Sequence, residues 1–263
     1  YGTYYEPFFG GGALFFELQP KCAVVNDFNR QLINMYQQLK QDYQAVIAIV
    51  EKYQNKYNTL TTETEKTEYY YSLRKEFNAC LVADAKTSTS AALFLFLNKT
   101  AFNGVYRVNG KGEFNVPSAH REKVNAFQLS NIQAVSKCLE GATILQGDFE
   151  TACESAQKGD FVFFDSPYYD TFDTYQAGGF SEESHRRLAA LFKKLSERGV
   201  NCMLTNSNTD FIKELYSEFN IKVVSVKRMI NRDASKRTGQ EIIVTNYLTA
   251  KYSLNPLFQA KAF

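Results

Sequence analysis

The chain has 263 residues, 44% of them hydrophobic and 22% charged, with a formal net charge of +2. Such values describe a soluble globular protein of one large or two modest domains and exclude a disordered or fibrous chain. No apolar run approaches the roughly 20 residues that cross a bilayer and no signal peptide is visible, while the five Cys are never spaced as C-x-x-C and only two His accompany them, so neither a membrane partner, a disulfide framework nor a metal site is expected.

The first element in chain order is a glycine turn opening a helix, Glu6-Pro7-Phe8-Phe9-Gly10-Gly11-Gly12 followed by Ala13 to Leu18. Bare glycines let a ligand approach the backbone. Lys21 to Val25 then reads as a strand ending in Asn26-Asp27, where nucleotide-binding α/β units keep an acid for ribose hydroxyls. The glycines alone would also describe a flexible surface turn. The acid at the end of the next strand points instead to a nucleoside-containing cofactor, and the missing G-x-G-x-x-G spacing argues against a dehydrogenase.

A polar run from Thr59 to Thr67 is poor material for a packed interior and is expected to be mobile. Further on, Tyr106 to Asn109 and Glu113 to Val116 flank Asn109-Gly110-Lys111-Gly112, a tight hairpin turn able to fit a groove. Basic residues gather around it between Lys99 and Lys123, including Arg107, Lys111 and Arg121. A second basic segment holds Lys227, Arg228, Arg232, Lys236 and Arg237 against Asp233 alone. Each run is either a solvated loop or a surface for nucleic acid; the hairpin favours duplex DNA.

Beyond the hairpin, strands are predicted at Ala142 to Gln146, Phe161 to Phe164, Val200 to Thr205, Ile221 to Val226 and Gln240 to Tyr247. Helices are predicted at Glu150 to Gln157, Glu182 to Glu197 and Asp210 to Glu218. Alternation of this kind implies an α/β fold with a largely parallel sheet. In the Glu182 helix, Leu188, Leu191, Phe192 and Leu195 recur at three- and four-residue spacing and should face that sheet, leaving Arg186, Lys193 and Lys194 outside. The expected organisation is a discontinuous core of residues 1–50 and 141–250, an insertion of helices and hairpin at 51–140, and a tail at 251–263.

Asp165-Ser166-Pro167-Tyr168 follows the apolar run Phe161 to Phe164 and so stands at a strand's carboxyl end, where open α/β sheets do their chemistry. Asp accepts hydrogen bonds, Pro167 fixes its own φ, and Tyr168 offers a flat face. Together they suit a planar amine, although strand-to-loop turns rich in Asp and Pro are also common for purely structural reasons.

Glu6 to Gly12, Val25-Asn26-Asp27-Phe28-Asn29, Phe102 to Asn109 continuing through Gly112 to Pro117, and Asp165 to Tyr168 form an ordered set. That set resembles the Dam-like, D12-class DNA adenine-N6 methyltransferases over most of the chain. Gly147-Asp148-Phe149 and Glu241 to Tyr247 resemble further family segments. The resemblance implies a Rossmann-like, S-adenosylmethionine-dependent methyltransferase core with an inserted target-recognition domain. It also implies a cytoplasmic, nucleoid-associated bacterial or phage enzyme acting on double-stranded DNA, possessing or lacking a cognate restriction endonuclease.

On that resemblance Asp165, the Ser166 carbonyl, Pro167 and Tyr168 form the catalytic loop. Glu6, Pro7, Phe8, Gly10 and Gly12 shape the turn around the cofactor's methionine part, Asp27 accepts the ribose, and Asp148 with Phe149 receives the adenine. Asp165 adjoins the cofactor as well. Asp148 has a simpler reading as the cap of the following helix. Phe102 resembles the residue that fills the gap left by a flipped base, with Asn103, Val105 and Arg107 as readers of base edges and Asn109 and Lys111 beside them. Phe102 and Val105 packing beneath the hairpin is the alternative. Tyr169, Phe172, Tyr175 and Phe180 either line the pocket or belong to the core.

Two departures from the family pattern matter. Ser166 stands where Asp-Pro-Pro-Tyr has its first proline, and since the family uses that residue's carbonyl, activity is expected to survive with a less stiff loop. The chain also starts at Tyr1 without the Trp/Gly/Lys-containing segment that family members carry ahead of the glycine turn. Either the N-terminus is trimmed or that end of the pocket is built differently; trimming is expected, and mass spectrometry of the intact protein decides it. RNA adenine methylation, protein-glutamine methylation, and DNA binding without catalysis are the competing functions.

Overall fold

A computed structural model of the chain describes residues 1–169, 179–227 and 238–248. Arg228, Arg232, Lys236 and Arg237 of the second basic segment, Phe172 and Tyr175 of the aromatic cluster, and the tail at 251–263 lie outside the described residues.

The strands are β1 (Tyr4–Glu6), β2 (Ala23–Asp27), β3 (Ala142–Gln146), β4 (Phe161–Asp165), β5 (Asn201–Ser207), β6 (Asn220–Lys227) and β7 (Thr238–Thr245). They form one seven-stranded sheet in the order β3-β2-β1-β4-β5-β7-β6. The β1–β4, β2–β3 and β4–β5 pairs are parallel, while β7 runs antiparallel to both β5 and β6. With its helices this is a mixed α/β, Rossmann-like methyltransferase fold. By contact the described residues divide into a first unit of residues 1–5, 155–169, 180–227 and 238–248 and a second that holds residues 6–154.

The second unit holds the helices α1 (Ala13–Leu18), α2 (Arg30–Thr59), α3 (Glu63–Val82), α4 (Ser88–Thr100), α5 (Leu129–Leu139) and α6 (Phe149–Ala152). Asn29 starts α2 by accepting the N–H groups of Gln31 and Leu32. The helix breaks at Asp42, whose side chain caps the following segment by accepting the Ala45 N–H over 3.0 Å. The Thr59 to Thr67 run is not the loose stretch its polarity predicts. Thr62 and Glu65 form a reciprocal capping box, so the polar side chains satisfy the orphan N–H groups that open α3. Ile33, Leu39, Val46 and Val50 of α2, Leu73 and Phe77 of α3, and Leu93 and Phe96 of α4 are buried and form the core of this unit.

The first unit holds α7 (Glu182–Glu197) and α8 (Asp210–Leu215). Leu188, Phe192 and Leu195 are fully buried, with Phe192 packing against Phe164 of β4, and Arg186, Lys193 and Lys194 are exposed, as the spacing predicts; Leu191, also expected on the buried face, is only half-buried. Burial pushes the Cys202 thiol of β5 up to about 12, in keeping with an inert core cysteine. All five cysteines are free.

Two predicted helices are shorter than their apolar patterns. The one after Asp148 is the single turn α6, because Gln157 turns back and its N–H donates to Asp160 over 3.0 Å, leading the chain into β4. The other, α8, stops at Leu215. Among the described residues no helix is long and apolar enough to cross a membrane.

Candidate active site

The glycine turn of the second unit is held from three sides. Gly10 and Gly12 adopt φ of +47° and +64°, and the Tyr36 hydroxyl, deeply buried on α2, donates to the Gly10 carbonyl over 3.1 Å. Burial, then the charges of Asp27 and Glu6, push the Tyr36 phenol above its ordinary pKa, so it stays a donor. A Cβ on Gly12 would lie 2.7 Å from the Phe9 ring and 2.8 Å from Phe16, whereas one on Gly10 or Gly11 would meet nothing within 4 Å among the described residues. Among the described residues the outer face of the turn is therefore bare backbone with no side chain against it.

Asp27 closes the turn. Its Oδ2 accepts the Gly10 N–H and its Oδ1 the Asn29 N–H, each over 2.8 Å. Burial raises its carboxyl above the usual range, and those backbone donors work against the rise. The Phe28 N–H adds a third backbone donor, and the carboxylate still has capacity for a further hydrogen bond. Beside it the Phe8 and Phe149 rings stack at 5.2 Å, and Asp148 caps α6 by accepting the Glu150 N–H over 2.9 Å. Glu6 and Pro7 are buried. Glu6, Pro7, Phe8, Gly10, Gly12, Asp27, Asp148 and Phe149 are thus gathered within one unit.

Sequence reasoning missed the residue that joins them. Asn26 is 2% exposed and its Nδ2 donates to the Pro7 and Gly147 carbonyls over 2.9 and 3.0 Å, tying the turn to the loop after β3. Only its place beside Asp27 marked it in the sequence.

Asp165 to Tyr168 lie in the first unit. The β4–β5 register puts Asp165 opposite Thr205, whose hydroxyl donates to Asp165 Oδ1 over 2.5 Å. Water reaches Asp165, yet protein crowds it enough that lost hydration raises its carboxyl above the usual range, with the Thr205 hydroxyl pulling the other way. The Tyr168 hydroxyl donates to Glu241 of β7 over 3.1 Å, and burial followed by the charge of Asp165 pushes that phenol well above its ordinary value. Ser166 is buried and its hydroxyl accepts from Asn206 over 3.2 Å. Tyr169 and Phe180 both pack edge-on against the buried His185. Thr205, Asn206 and Glu241 were missed because their strands meet this loop only through sheet pairing, which the local pattern does not carry.

The hairpin exists as a short ladder. Val108 bridges Phe114, the Asn109 N–H donates to the Glu113 carbonyl over 2.9 Å, and the Asn115 N–H donates to the Arg107 carbonyl over 3.1 Å. Asn109 organises the turn, its Oδ1 accepting from the Lys111 and Glu113 N–H groups. Phe114 and Val116 are buried beneath, while Phe102 is 55% and Val105 38% exposed, so neither of these two packs under the hairpin. Arg107, Asn103 and Lys111 are exposed, and Nε of Arg107 is held by Asn115 over 2.8 Å.

The family model for D12 class N6 adenine-specific DNA methyltransferases matches residues 1–230. The type II methyltransferase M1.LlaDCHI of Lactococcus lactis subsp. cremoris is 40% identical over 255 residues, covering 94% of this chain and 87% of the relative. The type II methyltransferase M.MjaIII of Methanocaldococcus jannaschii is 40% identical over 256 residues, covering 93% and 88%. The DNA N-6-adenine-methyltransferase of Escherichia phage P1 is 33% identical over 233 residues, 86% of this chain but 29% of that protein.

Proposed function

The chain belongs to the D12 class of N6 adenine-specific DNA methyltransferases, and from that membership we propose that it methylates the N6 amine of an adenine flipped out of duplex DNA, within GATC or a related site, using S-adenosylmethionine. The observation that carries the detailed reading is Asp165, a water-accessible carboxylate at the tip of β4 whose Oδ1 is anchored by Thr205.

The residues of the glycine turn fit the cofactor. Asp27 keeps acceptor capacity for a ribose hydroxyl beside its backbone donors, and the space that the described residues leave beside Gly10 and Gly11 admits a chain against bare backbone. Glu6, Pro7, Phe8, Gly10 and Gly12 shape the methionine end, while Phe149 and Asp148 take the adenine. Asp148 does so while capping α6, since a carboxylate accepts more than one hydrogen bond. S-adenosylmethionine, when bound, would supply the sulfonium methyl, its sulfur leaving as a neutral thioether as the N–C bond forms, and the proton shed by the methylated amine would pass by way of Asp165 to water.

The chain's own task is to orient a poor nucleophile. The adenine amine lone pair is delocalised into the ring, so its two hydrogens must be held where that lone pair is freed. Oδ2 of Asp165 and the Ser166 carbonyl accept them, and the Tyr168 ring stacks on the base, its hydroxyl fixed by Glu241. Extruding the base costs a few kcal/mol of pairing and stacking, roughly, and exposed Phe102 fills the gap it leaves. Asn103, Val105 and Arg107 read base edges from the hairpin, with Asn109 and Lys111 at its turn. Arg228, Arg232, Lys236 and Arg237 add phosphate contacts on sequence grounds. Residues 51–140 serve as the target-recognition insertion.

The type II names of two relatives support a place in restriction-modification, beside an endonuclease of the same specificity. Parallel methylation assays on duplex DNA, RNA and protein test the function. Incorporation into adenine of duplex DNA is expected, and incorporation into RNA or glutamine alone would replace the reading.

A further inference from the structure

Asn206, the penultimate residue of β5, grips the catalytic loop that follows β4. It is 1% exposed, and its carboxamide is committed on both sides. Nδ2 donates to the Ser166 hydroxyl over 3.2 Å, and Oδ1 accepts the N–H groups of Tyr169 and Ser207 over 3.0 and 2.8 Å. Ser207 completes the bracket, its hydroxyl donating to the Tyr169 carbonyl over 2.8 Å. The two residues that flank Pro167-Tyr168 are therefore tied to a single side chain.

Ser166 is the half of this arrangement that sequence alone made puzzling. A proline there would restrict the loop through its ring. Serine restricts nothing by itself, but its hydroxyl, on a residue 2% exposed, is turned inward to Asn206 rather than outward to a substrate. We infer that Asn206 is a positioning residue for methyl transfer, and that its bond to Ser166 replaces the stiffness of a proline, keeping the Ser166 carbonyl and the Tyr168 ring in register with Asp165. The inference rests on the methyl-transfer function proposed above. Asn206 touches no substrate atom; it acts through the loop.

The test is steady-state kinetics on duplex DNA, with melting temperatures, for Asn206→Ala, Ser166→Ala, the double alanine variant, and Asn206→Ala combined with Ser166→Pro. Loss of loop register should lower kcat of Asn206→Ala by about 10- to 100-fold while KM for S-adenosylmethionine moves less than about twofold. Ser166→Ala should lose less, and the double alanine variant should be scarcely worse than Asn206→Ala, because both changes break one bond. Adding Ser166→Pro to Asn206→Ala should recover about fivefold or more of kcat, which a general packing fault would not allow. A kcat for Asn206→Ala within about twofold of wild type, or additive losses with no recovery by proline, would overturn the inference.

If Asn206→Ala does not fold, the Ser166 variants decide alone, with kcat expected to fall further for Ala than for Pro; equal rates for Ala and wild type, or a larger fall for Pro than for Ala, would overturn it. If the wild-type chain methylates no adenine, the proposed function fails separately. The clamp is then judged by hydrogen exchange across residues 165–169, where faster exchange in Asn206→Ala supports it and unchanged exchange contradicts it.

Discussion

The Thr205 hydroxyl donates to Asp165 Oδ1 over 2.5 Å, across the register pair that aligns β5 with β4. This one bond opposes the burial that raises the Asp165 carboxyl. Methyl transfer needs that group ionised, so activity should fall as pH drops through its raised pKa. Thr205→Val removes the opposing bond and keeps the shape, and the acid limb of the kcat/KM profile should move to higher pH. An unmoved limb would take Asp165 out of the pH dependence.

The same shift has a stability consequence of definite sign. A carboxyl whose folded pKa lies above its unfolded value favours the fold when protonated, fully so below the unfolded pKa. That contribution is lost as pH rises through the folded pKa. At neutral pH Asp165 is therefore a liability to the fold, and Asp165→Asn should raise the melting temperature while abolishing transfer. Calorimetry at pH 7 checks the first and methyl incorporation the second; a lower melting temperature would contradict the burial account.

Asp27 carries the Gly10 N–H as well as its proposed ribose contacts. Asp27→Ala should weaken cofactor binding by about 2–3 kcal/mol, the cost of losing hydrogen bonds to a charged acceptor, or roughly 30- to 150-fold in Kd. Titration calorimetry with S-adenosylmethionine measures it. Asp165→Ala, by contrast, should leave most of that affinity in place.

Gly12 has no room for a side chain. With φ at +64° and the Phe9 ring 2.7 Å from where a Cβ would sit, Gly12→Ala should cost about 2–3 kcal/mol through backbone strain and overpacking. Denaturant unfolding reads the loss. Gly11→Ala, where a Cβ would meet nothing within 4 Å, should be far milder for the fold.

On the hairpin, Arg107→Ala should cost about 1–3 kcal/mol of discrimination at one base pair. Phe102→Ala should slow transfer to paired adenine more than to a mismatched one, since a mismatch lowers the cost of flipping. Methylation rates on duplexes with single altered pairs check both. A uniform loss for Arg107→Ala across all sequences would reassign it to phosphate contact.

Much of this architecture was legible in the sequence because it is written locally. Apolar runs ending in Asp27 and Asp165 marked β2 and β4, and the spacing of Leu188, Phe192 and Leu195 defined α7. The capped start of α3 is written locally too, in Thr62 and Glu65, but the polarity of the surrounding run masks it. What stayed hidden depends on pairing across distance. The insertion of antiparallel β7 between β5 and β6 brings Glu241 to Tyr168, and the β4–β5 register brings Thr205 to Asp165, neither of which leaves a periodic trace. Asn26 and Asn206 hide for a related reason: buried amides read as ordinary polar residues until the carbonyls and hydroxyls they satisfy are in view.

The most direct measurement is sequencing of DNA from a host without adenine methylation that expresses the chain, read for N6-methyladenine. Modification at every copy of one short sequence is predicted, and none with Asp165→Ala. Unmodified adenine throughout, or equal modification by the Asp165→Ala variant, would contradict the account.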